Sequence, residues 1–386
     1  MTPFVFNAPS RIVCEPNAIA YITTYCAEIQ AKRPMIVTDA GIVSVGILDQ
    51  VLAHLKDQPL DVTVYDQVQA DPAEHFVLDA TQQAQAHKAD VIIGLGGGSS
   101  MDVAKLVALL AKGDEQLADI YGVNQVTGAR LPLVQIPTTA GTGSEVTAVS
   151  IITVGETEKK GVVSPRLLPD LAILDAQLTM GLPAMITATT GIDAMVHAIE
   201  AYTSANANNN PISQVLAKQA LVLLGNNIRA AVLSPPDINV RSNMLLGAML
   251  AGQAFANSPV AAVHALAYPL GGIYHLSHGL TNALVLPHVM AFSQRECAEA
   301  YAELAPLVFP HTADILDLAA RSQAFIDELA QLNESLGLKP RLRDYDIPEQ
   351  DLPMLACEAM KQTRLLVNNP RPVTETDALA IYQAAW

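Results

Sequence analysis

Through its first half the chain alternates short apolar runs with helical patterns, and the alternation stops near Leu182. "RPMIVTDAG" reads as a strand running into a turn, "VGILDQVLAHLKDQ" as a helix, "LDVTVYDQV" as a strand and "AEHFVLDATQQAQAHKA" as a helix. "DVIIGLGGGSSMDVAKLVALLAK" then passes from strand through a glycine turn into a helix, and "LPLVQIPTT" and "LAILD" supply further strands. Strands separated by helices re-enter a sheet in the same direction, so this order implies βαβ units and a mainly parallel sheet. Beyond Leu182, "QVLAKQALVLLGNNIRAAVL", "VRSNMLLGAMLAGQAFAN", "SQAFIDELAQLNESLG" and "ETDALAIYQAAW" have helical spacing, and convincing strands are absent. The expected architecture is an α/β domain over residues 1–182 followed by an all-helical domain over 183–386. A chain of 386 residues is too long for one core of ordinary size, which agrees with two domains.

No Asp, Glu, Lys or Arg occurs between Arg241 and Arg295. A membrane segment is one reading of such a stretch. Asn243, Gln253, Asn257, Ser258, Pro259, His264, Pro269 and the Gly271-Gly272 pair interrupt it, and it contains no run of about 18 apolar residues. Buried helices around a site fit better, in a chain that is 51% apolar and only 16% charged. A net charge of −16 without a basic patch opposes binding to nucleic-acid phosphates or anionic lipid. Cys14, Cys26, Cys297 and Cys357 are scattered and read as reduced thiols. With no leader-like start in "MTPFVFNAPSRIV", the expected compartment is the cytoplasm.

"VIIGLGGGSSMD" puts Gly94, Gly96, Gly97 and Gly98 between a buried strand and a helix. Backbone without Cβ atoms lets a phosphate approach closely, and the helix start offers free N–H groups. The competing reading is a tight turn with Ser99 or Ser100 as helix cap. "PTTAGTGSEVT" is a second phosphate candidate, with Thr138, Thr139, Thr142 and Ser144 around Gly141 and Gly143. Two such loops at strand ends favour a dinucleotide. Asp39 closes the "MIVTD" strand, where a carboxylate suits an adenosine ribose and repels a 2′-phosphate, favouring NAD over NADP; otherwise it is a turn residue or helix cap. The usual Rossmann order puts the acid after the glycines, so the layout here is related but different.

Asp193 and His197 lie i, i+4 in "GIDAMVHAIEAYTS" and point the same way from one helix. "HALAYPLGGIYHLSHG" adds His264, His275 and His278, with Pro269 and Gly271-Gly272 allowing the chain to fold back. Three imidazoles and a carboxylate without thiolate suit Fe²⁺ or Zn²⁺. Spacing alone leaves open which three histidines bind.

"GGGSSMDVAK", "PTTAGTGSEVT", "GLPAMITATTGIDAMVHAIEAYTS" and "VHALAYPLGGIYHLSHGLTNALVLPHVM", in this order, resemble the successive signatures of the iron-containing (group III) alcohol dehydrogenase family. The likeness runs through to "NNPRPVTETDALAIYQAAW". It implies a Rossmann-like α/β domain for NAD, a helical metal-binding domain and a cleft between them. The implied metal ligands are Asp193, His197, His264 and His278. The implied cofactor contacts are Asp39, Gly97, Gly98, Ser99, Thr138, Thr139, Thr147 and Lys160. The chain departs from the pattern at Asp71, which stands in place of an amide on the adenosine side, and at Tyr268, in place of a histidine near the nicotinamide. The proton relay would then fall to the Tyr268 hydroxyl or to His275; the competing roles are a packed ring and a helix cap. Phe255 and Leu365 fall where the family lines its substrate pocket.

The activity implied is metal-dependent hydride transfer between NAD(H) and a small to medium, aliphatic alcohol or aldehyde. A zinc polyol dehydrogenase or a maleylacetate-reductase-like enzyme is the alternative on the same scaffold. A dehydroquinate-synthase-like cyclase would want basic residues beside the ligands, where the chain is uncharged, and a non-catalytic NAD- or metal-binding protein would show no turnover. The expected partner is a small molecule, with neither nucleic acid nor membrane, and the expected assembly is a homo-oligomer, most simply a dimer.

Overall fold

The computed structural model describes residues 3–155 and 158–386. The chain divides into two compact units, one spanning Asn7–Gly181 and the other Leu182–Trp386 together with the N-terminal residues to Phe6.

The first unit is built on nine strands: β1 (Arg11–Cys14), β2 (Pro34–Asp39), β3 (Thr63–Val68), β4 (Val91–Gly96), β5 (Gly122–Val123), β6 (Leu133–Pro137), β7 (Val149–Val154), β8 (Glu158–Val163) and β9 (Leu171–Leu174). Six of them form a sheet of order β1-β9-β6-β4-β2-β3, parallel throughout. The inner strands β4, β6 and β9 are buried along their whole length and β2 up to Asp39, which is why they read as mostly apolar runs, broken by the buried Thr38 and Gln135. Helices α1 (Tyr21–Glu28), α2 (Ala40–Ser44), α3 (Ile47–Leu55), α4 (Glu74–His87) and α5 (Gly98–Leu110) connect them. Ile22, Leu48 and Val51 of α1 and α3 pack into one core with Ile36 and Ile93, while Val77, Val103 and Val107 of α4 and α5 pack into another with Met35 and Ile92. The chain therefore leaves β2 toward one face and β4 toward the other, and the carboxyl ends of these neighbours flank a topological switch point.

A second sheet, of order β5-β8-β7, contains the antiparallel pair β7 and β8. Neither this pair nor β1 is among the expected strands. "EKKGVV" carries three charges in its first half and lacks a continuous apolar run, and β1 is a four-residue edge strand with exposed ends.

The second unit is helical. Its elements are α6 (Ala184–Thr203), α7 (Pro211–Leu233), α8 (Ile238–Asn257), α9 (Ala262–Tyr274), α10 (His278–Val308), α11 (Leu318–Ser335), α12 (Leu352–Met360), α13 (Thr363–Leu366) and α14 (Glu375–Ala385). The expected break at Pro269 and Gly271-Gly272 does not occur, because α9 runs through all three residues. Proline withdraws the N–H that would reach Ala265 O and crowds that carbonyl, and Tyr382 of α14 donates to the neighbouring Leu266 carbonyl at 2.6 Å. The chain reverses instead at His275, which is left-handed (φ 55°) and donates its backbone N–H to Gly271 O. No helix of the described residues is long and apolar enough to cross a membrane.

Candidate functional site

Asp193 and His197 face one side of α6, His264 lies in the first turn of α9, and His278 opens α10. Packing of these three helices brings one donor atom from each residue to within 4.8 Å of the others. Asp193 Oδ1 lies 3.9 Å from His197 Nε2, 4.0 Å from His264 Nε2 and 3.6 Å from His278 Nε2. Asp193, His197 and His264 are buried, whereas the His278 side chain is 38% exposed, so the cluster is reached from that side. Burial pushes the Asp193 carboxyl up, but the imidazoles of His197, His278 and His264 and the Asn282 amide outweigh it, leaving it below the ordinary range.

The donor set fits a divalent ion. Three imidazole nitrogens and one carboxylate oxygen, without thiolate, suit Fe²⁺ or Zn²⁺. Asn282 donates to Asp193 Oδ1 at 2.6 Å, while its own Oδ1 is buried with no hydrogen-bond partner among the described residues. It is the Asn282 Nδ2 that faces the cluster, 3.3 Å from both His264 Nε2 and His278 Nε2, so the donor atoms converge around one point.

Two residues that the sequence reading passed over support this cluster. Glu200, one turn beyond His197, accepts from Val263 N at 2.7 Å and meets His264 Nδ1 at 2.6 Å. Asn282 follows His278 by one turn of α10. The signal for Glu200 was present: Asp193 and Glu200 are the charged residues of α6, spaced i, i+7. His275 stands exposed at the end of α9 and is not in the donor cluster. The Tyr268 ring lies 5.8 Å from that of His278, centroid to centroid. Phe255 stacks on His197 at 4.3 Å, and Leu365 is buried.

In the α/β unit, parallel pairing of β2 with β4 and of β4 with β6 brings Asp39, the glycine turn and the threonine loop to one edge of the sheet. Gly97 caps α5 without any side-chain bond, so neither Ser99 nor Ser100 is the cap. Ser100 instead donates to Asp39 Oδ2 at 3.1 Å, and Asp39 Oδ1 accepts from Ile42 N at 3.1 Å, capping α2. The two loops touch: a Cβ on Gly98 would lie 2.8 Å from Thr142 Cγ2, and one on Gly97 would lie 3.7 Å from Thr139 Oγ1. Thr138 is buried and donates its N–H to Gly96 O, and Ser99 is half-buried in the first turn of α5.

Behind these loops the fully buried Lys105 donates to Ser144 Oγ at 2.7 Å, Thr147 Oγ1 at 3.0 Å and Val149 O at 2.6 Å, with Asp102 at 3.4 Å. Desolvation lowers its pKa, against the pull of Asp102 and Glu145. Burial raises the Glu145 carboxyl to about 7, opposed by its own backbone amide and by Lys105. Lys160 lies apart on β8, 3.5 Å from Glu158 and over the Tyr121 ring. Asp71, left-handed at φ 53°, pairs with Lys159 at 2.6 Å.

Comparison with known proteins bears on both halves. Residues 9–176 match the family model described as iron-containing alcohol dehydrogenase, and residues 187–386 match that of the Fe-containing alcohol dehydrogenase family, C-terminal. Long-chain-alcohol dehydrogenase 1 of Geobacillus thermodenitrificans is 39% identical, over 98% of this chain and 97% of that one. NAD-dependent methanol dehydrogenase of Bacillus methanolicus is 33% identical, over 98% and 99%. A crystal structure of 1,3-propanediol oxidoreductase superposes with a TM-score of 0.95 at 34% identity, covering all of both chains.

Proposed function

The chain belongs to the iron-containing alcohol dehydrogenase family and is an oxidoreductase acting on alcohols, and from that premise we propose that it exchanges hydride between NAD(H) and a small to medium aliphatic alcohol or aldehyde. The observation that carries this reading is the convergence of Asp193, His197, His264 and His278 to within 4.8 Å. These four residues would hold Fe²⁺ or Zn²⁺, which supplies a Lewis acid that lowers the pKa of an alcohol oxygen or polarises a carbonyl. Asp193 brings the charge, and the exposed edge of His278 gives substrate its approach. Apolar rings at Phe255 and Tyr268 beside the ligands support an aliphatic substrate.

NAD would bind at the carboxyl edge of the parallel sheet. Gly97, Gly98 and Ser99 offer the free N–H groups of α5 to the pyrophosphate, with Thr138 and Thr139 alongside and Thr147 holding the loop through Lys105. Asp39 would accept from the adenosine ribose and exclude a 2′-phosphate; Lys160 is the ribose contact on β8. Tyr268 is the better placed proton relay, because its ring faces His278 while His275 terminates a helix at the surface. Four free thiols support a cytoplasmic setting, and the proposed assembly is a homo-oligomer, most simply a dimer.

The test is NADH formation from a panel of primary alcohols and diols after anaerobic purification, chelation and reloading with Fe²⁺, Zn²⁺ or nothing. Turnover restored by one ion is expected. Turnover on charged polyols alone would overturn the substrate class, and none with any ion would overturn the reading.

A further inference from the structure

We propose that Glu200 is a positioning residue that fixes His264 in its Nδ1–H tautomer and so keeps the Nε2 lone pair turned into the donor cluster; this rests on the metal-site reading above. Glu200 is 4% exposed, and both of its oxygens are used. Oε1 accepts the backbone N–H of Val263 at 2.7 Å, and Oε2 lies 2.6 Å from His264 Nδ1. An ionised carboxylate only accepts hydrogen bonds, so the imidazole nitrogen facing it must be the donor. The proton of a neutral imidazole is then on Nδ1, and Nε2, 4.0 Å from Asp193 Oδ1, carries the lone pair that a metal needs.

The second bond adds direction. Val263 N–H belongs to the first turn of α9, where backbone donors have no helical partner, and a carboxylate there is favoured by the helix dipole. Residues 263 and 264 are thus both gripped from α6. That helix already carries Asp193 and His197, so a single helix sets two donors and the orientation of a third.

Glutamine at this position separates the tautomer effect from shape. Its one oxygen can fill only one of the two positions that Oε1 and Oε2 hold against Val263 N–H and His264 Nδ1. If the oxygen stays with Val263, the amide NH₂ faces Nδ1 and drives the proton to Nε2, which disables that nitrogen as a ligand. E200Q should therefore weaken metal binding although its volume is unchanged.

The full-length protein would be labelled with ¹⁵N-histidine to read the His264 tautomer, assigned with H264A, and titrated with Co²⁺ against a chelator. Expected are Nδ1–H in the wild type, loss or reversal of that preference in E200Q, and a Co²⁺ affinity reduced by about 10–100-fold. In an H264A background the E200Q substitution should cause no further loss, since it acts through that ring. A wild-type His264 with its proton on Nε2 would overturn the proposal, without any variant having to fold. So would E200Q affinity equal to wild type, or an equal E200Q loss in H264A. Failure of the wild type to take up Co²⁺ would overturn the metal reading instead, and the tautomer signal would still decide the Glu200 contact.

Discussion

Lys105 Nζ lies 2.7 Å from Ser144 Oγ, so a buried ammonium joins the helix after the glycine turn to the threonine loop that follows the neighbouring strand. Lys105→Met would remove the ammonium that donates to Thr147 Oγ1, Ser144 Oγ and Val149 O, and take from Asp102 its partner at 3.4 Å. Removing one member of a buried ionic network costs about 3–5 kcal/mol. Denaturant unfolding should show a loss of that size, and NADH fluorescence titration at least a tenfold weaker cofactor. A variant that unfolds normally yet binds NADH as before would detach the network from the proposed cofactor loops.

Glu145 introduces a pH dependence of known sign. An unfolded glutamate titrates near 4.5, and burial raises this one to about 7 in the fold, against the opposing influence of its backbone amide and Lys105. The folded protein therefore holds the proton more tightly. The stability this contributes is fully present below about pH 4.5 and is lost as pH rises through 7. Glu145→Gln has no such proton to lose, so its stability relative to the wild type should grow by up to about 3 kcal/mol over that window. Parallel stability curves for the two proteins across pH would contradict the burial of a titrating carboxyl.

How far the sequence could carry the site depends on whether a pairing is local. Asp193 and His197 share a face because four residues make about one turn, so their alliance is visible in the string. The same logic reached the parallel strands β2, β4 and β6, whose mostly apolar runs follow from burial on both faces. It failed at β8, where "EKKGVV" packs only in part, and at Pro269, where the missing N–H is tolerated inside α9. Glu200 was at a readable spacing from His197, but its partner His264 is 64 residues away and only the packing of α6 against α9 unites them. Ser99 and Ser100 looked like caps because small hydroxyls favour that position; Gly97 takes it, and Ser100 is drawn to Asp39 across the switch point.

Gly279 controls how closely α10 approaches α6. A Cβ there would lie 2.2 Å from the Thr189 carbonyl oxygen, which is backbone and has little freedom to yield. Gly279→Ala should push the start of α10 outward and carry His278 away from Asp193, now 3.6 Å off. Overpacking of this kind costs about 1–3 kcal/mol. The more telling readout is metal: Co²⁺ affinity should fall while the α/β unit still binds NADH. Unchanged Co²⁺ binding would mean that His278 is not needed as a ligand.

Tyr268 and His275 are the two candidates for the proposed proton relay, and their positions make opposite predictions. The Tyr268 ring centroid is 5.8 Å from that of His278, whereas His275 is exposed and occupied as the left-handed end of α9. A positioned acid or base contributes about 10²–10⁴-fold to rate. Tyr268→Phe keeps the ring and removes only the hydroxyl, so kcat should drop by about 100-fold with KM for NAD unchanged. His275→Ala should leave kcat within about twofold and act mainly on stability, since the left-handed position loses a residue type that tolerates it better than alanine does. The reverse pattern, a slow His275→Ala and an active Tyr268→Phe, would move the relay to His275 and leave Tyr268 as a packed wall of the substrate site.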